Sequence, residues 1–200
     1  MKRIISFIIV FCLTISGLNC FAANTSVLST VNDEAYEIIS KLDIISNIKE
    51  EKNISRADFV MAIVKTFGFD GYRGSEISSV FSDVNEGHRA YNSISIAYDL
   101  NLISDADDKM FLPDLDIRMD EAVKVVVCAL NSRAQAEAEG GVPYGYLAIA
   151  NRKKLLKDVN TDNTFLSNRD AAMLIYNTLN SEYVGVSGIS SDNTGNTVHY

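Results

Sequence analysis

The sequence predicts an all-α fold made of three helical repeats, and two observations carry that prediction. First, one pattern occurs three times: an Ile or Leu, an acidic residue four positions later, and apolar residues at helical spacing along the following turns. We call the copies the first block (residues 54–67), the second block (117–130) and the third block (166–179). Second, the apolar residues follow the period of a helix, about 3.6 residues, and do not alternate as in a strand. We therefore expect three helices that bury their apolar faces against each other around a shared axis.

The start of each block has the composition of a capped helix. In the first and third blocks a Ser is followed three residues later by an Asp, the spacing of a capping box. The pairs are Ser55 with Asp58 and Ser167 with Asp170. In the second block Arg118 occupies the Ser position, so Asp116 is expected to cap that helix instead. Capping is the expected main role of these acids and of Glu121, and it is compatible with a place in a binding site.

Residues 1–22 have the pattern of a secretory signal peptide. Lys2 and Arg3 form a basic end, residues 4–15 form an apolar run, and Cys20 and Ala22 supply small residues for cleavage. The apolar run is shorter than the roughly 20 residues of a membrane span. The alternative is a lipoprotein modified at Cys20. The mature protein is therefore expected to be secreted, with no stable membrane span after leader cleavage.

The composition disfavours nucleic acid as a partner. The formal net charge is −8, and loss of Lys2 and Arg3 with the leader would make the chain more acidic still. Such a surface repels phosphate backbones. Leader cleavage also leaves Cys128 without another cysteine, so it is expected to be a small buried apolar residue.

The expected organisation is a leader, three repeats and a tail. The repeats cover residues 31–69, 79–139 and 143–182, and each joins an amphipathic helix to its block. In the second repeat the block helix is expected to continue through residues 133–139, because these are strong helix formers. Residues 183–200 are polar and lack periodicity, so they are expected to form a disordered, flexible tail or linker.

The repeats resemble the S-layer homology (SLH) family. Residues 81–84 (Phe-Ser-Asp-Val), 102–103 (Leu-Ile), 108–113 (Asp-Lys-Met-Phe-Leu-Pro) and 117–122 (Ile-Arg-Met-Asp-Glu-Ala) match the family's motifs in order and spacing. The resemblance extends over residues 31–182. It implies that three repeats pack as a pseudo-threefold helical bundle that anchors a protein at the cell wall or cell surface. It also implies a ligand, a secondary cell wall polysaccharide that is often pyruvylated and therefore anionic, in the grooves between repeats.

The same resemblance places the ligand grooves at the block starts. The candidate ligand-binding residues are Ser55, Arg56, Asp58, Arg118, Glu121, Ser167, Arg169 and Asp170. Among the blocks only the first keeps the family's Arg in register, as Arg56, whereas Met119 and Asn168 occupy that position in the others. Arg118 and Arg169 are each one position off, and one step along a helix turns a side chain by about 100°. We expect at most one well-formed groove for an anionic sugar, centred on Arg56.

No enzyme, cofactor or metal site is expected. The chain contains two histidines, His88 and His199, and has no phosphate-binding loop or nucleophile motif. Residues 158–162 imitate the start of a calcium loop, but the twelfth loop position is Arg169 instead of Glu. Two alternatives to polysaccharide anchoring remain. One is a structural or protein-interaction module that keeps the fold without binding sugar, and the other is the anchor part of a larger surface protein.

Overall fold

The protein is mainly helical, as the sequence predicts. A computed structural model describes residues 33–45, 51–71, 80–104 and 109–184, together with the backbone of two later strands. The helices are residues 33–41 (α1), Arg56–Thr66 (α2), Tyr91–Asp99 (α3), Met119–Ala129 (α4), Arg133–Ala138 (α5), Tyr144–Arg152 (α6) and Asn168–Leu179 (α7), with a 3-10 turn at Phe69–Gly71. None of the helices in these ranges combines the length and the apolar character needed to cross a membrane. The expected leader, residues 1–22, lies outside the described residues.

The three block helices, α2, α4 and α7, form the centre of the core. Each buries the face that the repeated pattern makes apolar, and Ile63, Val126 and Ile175, at the same position of each block, are all 0% exposed. Helix α2 packs against both α4 and α7. Because apolar area removed from water is the main favourable term in folding, this shared face is the principal source of stability.

Helix α4 ends at Ala129, so the expectation that it continues through residues 133–139 was wrong. Asn131 adopts a left-handed conformation with φ 55°, which Asn tolerates better than most residues. The N–H of Ser132 then donates to the carbonyl of Val127 at 3.0 Å, which satisfies one of the free carbonyls at the helix end. The strong helix formers of residues 133–138 form a separate short helix, α5.

The chain after residue 187 differs from the expected disordered tail. Gly188–Asp192 (β1) and Gly195–His199 (β2) pair as antiparallel strands, with Gly188 opposite His199 and Asp192 opposite Gly195. The expectation of a flexible tail over residues 183–200 was therefore wrong for these ten positions. Two residues separate the strands in sequence, the length of a tight hairpin connection. The polar composition of this segment does not predict strands, although its β-branched residues, such as Ile189 and Val198, favour them.

Helices α5 and α6 approach each other closely at Gly145. A Cβ added there would lie 1.9 Å from the carbonyl oxygen of Ala136. The neighbouring Tyr146 is buried, and its hydroxyl donates to Oε1 of Glu137 at 2.5 Å. Burial, and then this hydrogen bond, raise the pKa of the Tyr146 phenol above its usual value. Gly145 thus permits the helix contact that seats Tyr146 in the core.

We expect Gly145→Ala to lower the free energy of unfolding by about 1–3 kcal/mol, because the new methyl group meets backbone that cannot move aside easily. For a chain of this size, each kcal/mol lowers the melting temperature by about 2–4 °C. Thermal unfolding followed by circular dichroism measures the change. Gly71→Ala is the matched control, since a Cβ there meets nothing within 4 Å. Equal melting temperatures for the two variants would contradict the close contact.

Candidate functional site

Backbone hydrogen bonds join the starts of the three blocks in a closed ring. The N–H of Ile54 donates to the carbonyl of Leu166 at 3.0 Å, that of Leu166 to Ile117 at 3.1 Å, and that of Ile117 to Ile54 at 3.0 Å. The three residues are the first of their blocks and are nearly fully buried. Each block start therefore contacts the other two through its main chain.

A second ring of backbone hydrogen bonds surrounds the first and runs in the opposite sense. The residue two positions after each block start donates to the carbonyl two positions before the next one. The bonds are Arg56 to Leu115 at 2.8 Å, Met119 to Thr164 at 2.9 Å and Asn168 to Lys52 at 2.8 Å. Together the rings make three antiparallel bridges. They fix the first helical turn of every block at a boundary between repeats.

The first and third blocks have the predicted Ser caps but not the reciprocal contact of a capping box. Oγ of Ser55 accepts from the N–H of Asp58 at 3.1 Å and donates to Asp58 Oδ2 at 2.7 Å. Ser167 and Asp170 make the same two bonds, at 3.1 and 2.6 Å. Each acid thus contacts the Ser hydroxyl, whereas in a capping box it would contact the backbone N–H.

The second block begins differently, and the expectation that Asp116 caps it was wrong. Arg118 is the residue before the first helical turn, and its side chain has no acceptor atom. Oε2 of Glu121 instead accepts from the Arg118 N–H at 3.1 Å, which is half of a capping box. Asp116 accepts a hydrogen bond from the Asn53 side chain at 2.8 Å. It therefore supports the bridge between the first and second blocks.

Arg56 lies in a groove between α2 and the second repeat, which we call the Arg56 groove. The residues that line it are Arg56, Val60, 102–104, Phe111, Ile117, Glu121 and 124–125. Its volume is about 230 Å³. Nε of Arg56 donates to the Phe111 carbonyl at 2.7 Å, and Nη1 contacts Glu121 Oε1 at 2.5 Å. The guanidinium carbon also lies 4.8 Å from the centroid of the Phe111 ring. These contacts hold the guanidinium in one orientation across the repeat boundary.

Lys124 is a second basic residue in the Arg56 groove, and sequence reasoning missed it. Its Nζ donates to Oγ of Ser104 at 3.1 Å, and no acidic group of the described residues lies within salt-bridge distance of it. Aligning the blocks could have found it, because the equivalent positions hold Met61 and Met173. A lysine at a position that is apolar in the other two blocks departs from the repeat pattern.

Two further grooves lie near the block starts, and neither is basic. The Leu147 groove, about 490 Å³, is lined by 118–120, Pro143, Leu147, Asn151, Leu156 and 161–164. The Asp43 groove, about 350 Å³, is lined by 43–45, Ile54, Asp58, Met61, 64–65, Asp70 and Ser93. The first of these contains two carboxylates and one guanidinium, and the second contains three carboxylates and one ammonium group. Among the described residues that line these three grooves, only those of the Arg56 groove include more basic than acidic groups, so this groove suits an anionic ligand best.

The eight candidate residues from the sequence do not form one site. Arg56 and Glu121 meet in the Arg56 groove, while the Ser and Asp pairs act as caps. Arg118 pairs with Asp120 of its own turn at 3.0 Å, and Arg169 pairs with Asp33 at 2.5 Å. Arg118 lines the Leu147 groove with its charge compensated by Asp120, whereas Arg169 lines none of the three grooves.

Asp58 has an additional role that the sequence does not predict. Both of its oxygens accept from the guanidinium of Arg89, at 2.5 and 3.0 Å, which ties α2 to the segment preceding α3. Burial alone would raise the pKa of Asp58, but the hydrogen bonds from Arg89 and Ser55 outweigh it and hold the pKa below its usual value. Arg89 thus stabilises the charged form of a capping residue.

The metal and thiol chemistry of the described residues is limited. Within ranges 33–45, 51–71, 80–104 and 109–184, no three His, Cys, Asp or Glu side chains are placed to share a metal ion. Asp170 Oδ1 accepts from the N–H of Asn160 at 2.9 Å, so it holds the 158–162 loop against α7. Cys128 is buried, as expected, and burial raises the pKa of its thiol. A thiol in that state is a poor nucleophile.

Comparison with known proteins shows that the sequence is similar to those of surface and cell wall proteins. Residues 80–118 match the sequence model of the family described as the S-layer homology domain. The chain is 26% identical over 188 residues to a "Cell surface protein" of Thermoanaerobacter kivui, covering 88% of this chain and 24% of that protein. It is 23% identical over 130 residues to a "Middle cell wall protein" of Brevibacillus brevis, covering 64% of this chain and 12% of that protein. These findings support an S-layer homology protein.

The matched segment supplies half of the described lining of the Arg56 groove. Residues 102–104, Phe111 and Ile117 fall within residues 80–118. Arg56 and Val60 of α2 precede the matched segment, and Glu121 and residues 124–125 of α4 follow it. The groove thus joins the family segment to the first block.

We expect the contribution of Asp58 to stability to depend on pH. Its folded pKa lies below the unfolded value of about 3.9, so its stabilising effect is present above that value and is lost as the pH falls through the folded pKa. Asp58→Asn keeps a capping side chain but loses the charge that pairs with Arg89. The variant should be about 1 kcal/mol less stable at pH 7, and the difference should shrink below about pH 4.

Urea unfolding of the wild type and the Asp58→Asn variant between pH 7 and pH 3 measures this difference. Asp99→Asn is the control, since Asp99 is an exposed carboxylate at the end of α3. A stability difference for Asp58→Asn that stays constant across this pH range would show that the Arg89 pair does not matter.

Proposed function

We propose that this protein is a non-catalytic cell-surface anchoring module that binds an anionic secondary cell wall polysaccharide in the Arg56 groove. The general role, a cell-surface anchoring module, is supported by the S-layer homology match and by the names of the two relatives. The binding of an anionic polysaccharide is supported by one observation: among the described residues that line the Arg56 groove, the basic groups of Arg56 and Lys124 outnumber the one acidic group, Glu121. A pyruvylated glycan, whose carboxylate needs charged donors, is the ligand class we propose.

We further propose that three repeats, residues 31–69, 79–139 and 143–182, pack as a pseudo-threefold bundle. The two rings of backbone hydrogen bonds support this arrangement, because equivalent residues of the blocks donate and accept in the same order. Two of the grooves support it too, since the Arg56 groove lies between the first block and the second repeat and the Leu147 groove between the second block and the third repeat. These two grooves are then equivalent in position and different in chemistry.

The route to the surface is part of the proposal. Residues 1–22 act as a secretory leader, and the mature chain reaches the wall after cleavage. The names of the two relatives, a cell surface protein and a cell wall protein, support secretion.

The Arg56 groove can bind a carboxylate without new charged groups. Glu121 and the Phe111 carbonyl accept from two of the guanidinium nitrogens, Nη1 and Nε. Within the described residues Nη2 makes no hydrogen bond, so it is a further donor. Lys124 supplies an ammonium group in the same groove. Hydrogen bonds to charged groups contribute roughly 1.5–3 kcal/mol each. A polymer that presents many such sugars adds to this through avidity.

Retention on wall sacculi that carry a pyruvylated polysaccharide tests the site. We expect Arg56→Ala to weaken retention by about tenfold or more, since one charge-assisted contact is lost. Arg56→Met should have the same effect while preserving packing, because Met119 occupies the equivalent position of the second block. Co-sedimentation of labelled protein with sacculi, over a range of protein concentrations, measures the affinity.

Arg169→Ala is the matched control for this experiment. Arg169 is also an arginine in the first turn of a block helix, but it pairs with Asp33 and does not line the Arg56 groove. Its loss should leave retention nearly unchanged. Equal losses for Arg56→Met and Arg169→Ala would overturn the site assignment, and retention no better than that of an acidic control protein would overturn the function.

A second candidate function is a structural or protein-interaction module that keeps the fold without binding sugar. The observation that favours it is the ion pair of Arg56 with Glu121, which already compensates the charge of the key residue. Removal of polysaccharide from the sacculi by mild acid distinguishes the two functions. We expect retention to fall to the level of the acidic control protein, whereas retention that survives the treatment would favour a protein partner.

The module is also proposed to act as the anchor part of a larger surface protein. The chain spans 24% and 12% of the lengths of the two relatives it matches. The rest of each relative lies outside the matched region. The functions of those other parts are therefore not transferred to this chain.

A further inference from the structure

The carboxylate of Asp83 binds the backbone of the loop that precedes the second block. Its Oδ1 accepts from the N–H of Phe111 at 2.8 Å, and its Oδ2 accepts from the N–H of Leu112 at 2.7 Å. Leu112 has φ 57°, in the left-handed region that residues other than glycine rarely adopt. Its side chain is 41% exposed, so burial does not explain this conformation. Asp83 therefore holds the loop in a conformation that its sequence alone does not favour.

Phe111 transmits this constraint to Arg56. Its N–H donates to Asp83, and its carbonyl accepts from Nε of Arg56 at 2.7 Å. Its ring is 2% exposed and lies 4.8 Å from the guanidinium carbon of Arg56. One residue thus links the carboxylate of Asp83 to the cation of the Arg56 groove.

The loop before the third block is held in a different way. The N–H of Asn160, which lies as far before its block as Phe111 lies before the second, donates to Oδ1 of Asp170 at 2.9 Å. Asp170 is the acid of the third block itself. Aligning α3 with α6 at their first residues places Ala136 at the position of Asp83, so the third repeat has no equivalent acid there. The block acid binds the loop in its place.

Glu121 is the second-block acid equivalent to Asp170, and it binds different groups. Its Oε1 accepts from Nη1 of Arg56 at 2.5 Å, and its Oε2 accepts from the N–H of Arg118 at 3.1 Å. The loop N–H groups are already bound by Asp83, so they do not compete for these oxygens. Asp83 thus acts on Arg56 in two ways, by fixing the loop and by leaving Glu121 to pair with the guanidinium.

We propose that Asp83 is a positioning residue that fixes the orientation of Arg56 in the Arg56 groove. Its consequence for binding rests on the proposed function, because a carboxylate of the wall polysaccharide would meet an arginine that is already oriented. A donor that is fixed before binding loses less conformational entropy when the ligand binds.

Hydrogen exchange of arginine Nε–H groups, followed by NMR on the isotope-labelled protein, tests the positioning role without any ligand. We expect Asp83→Asn to accelerate exchange of the Arg56 Nε–H about tenfold, because an amide has one acceptor oxygen and cannot hold both loop N–H groups. The Nε–H of Arg118 is the internal reference, since it donates to Asp120 of its own turn at 3.0 Å. A loss of overall stability would accelerate both. Equal acceleration, or none at Arg56, would overturn the proposal.

Retention on wall sacculi tests the consequence for binding. We expect Asp83→Asn to weaken retention about threefold to tenfold, although removal of a negative charge alone would favour an anionic polymer. In the Arg56→Met background it should cause no further loss, since the residue that it positions is gone. Gly145→Ala is the matched control for reduced stability, because Gly145 does not line the groove, and it should leave retention nearly unchanged. Additive losses for Asp83→Asn and Arg56→Met would overturn the proposal.

The two measurements separate the positioning role from the anchoring function. Arg56-dependent retention with unchanged Nε–H exchange in Asp83→Asn would remove only the positioning role. Accelerated exchange at Arg56, in a protein whose wild type is not retained on sacculi, would remove only the anchoring function. If Asp83→Asn failed to fold, the wild type would decide. Its partly buried Arg56 Nε–H should exchange about tenfold more slowly than the exposed Arg118 Nε–H, and equal rates would overturn the proposal.

Discussion

The structure depends on the two opposed rings of backbone hydrogen bonds at the block starts. A buried N–H or carbonyl without a partner is costly, so main-chain groups at the centre of a fold must find partners. Here the partners are the equivalent groups of the other blocks, and each ring closes after three bonds. Because these bonds use no side chain, the two rings do not depend on which side chains occupy the first helical turn. Ser55 and Arg118 can therefore occupy equivalent positions beside the same rings.

That independence allows the grooves to differ. The position that lines a groove is Arg56 in the first block and Met119 in the second, while both N–H groups make the same ring bond. In the first block the arginine is then fixed by Glu121, which accepts from Arg56 through Oε1 and from the Arg118 N–H through Oε2. One carboxylate thus caps a helix and orients the cation of the neighbouring repeat. A binding group and a helix start are coupled through this acid.

The sequence predicts those features that arise within a single block. The positions of α2, α4 and α7 follow from apolar periodicity, and the Ser caps follow from local spacing. The break at Asn131 was not predictable in this way, since helix propensity over residues 133–138 is satisfied by a separate helix as well as by a continued one. The β1–β2 pair was missed because its residues are mostly polar and the period-2 pattern is short. Lys124 and the Arg89 pair depend on contacts between repeats, which spacing within a block does not reveal.

The acidic character of the whole molecule and the proposed anionic ligand are compatible because they act over different distances. The net charge of −8 produces a long-range repulsion, but salt screens exposed charges beyond about 8 Å at physiological ionic strength. Within the Arg56 groove the electrostatic interaction with a ligand depends on the nearest charged groups. Among the described residues that line the groove, Arg56 and Lys124 outnumber Glu121. The long-range repulsion lowers the rate of non-specific encounters with acidic polymers, whereas the local contacts act only on a ligand that fits. A negatively charged module with a basic groove therefore gains selectivity against polyanions that present only diffuse charge.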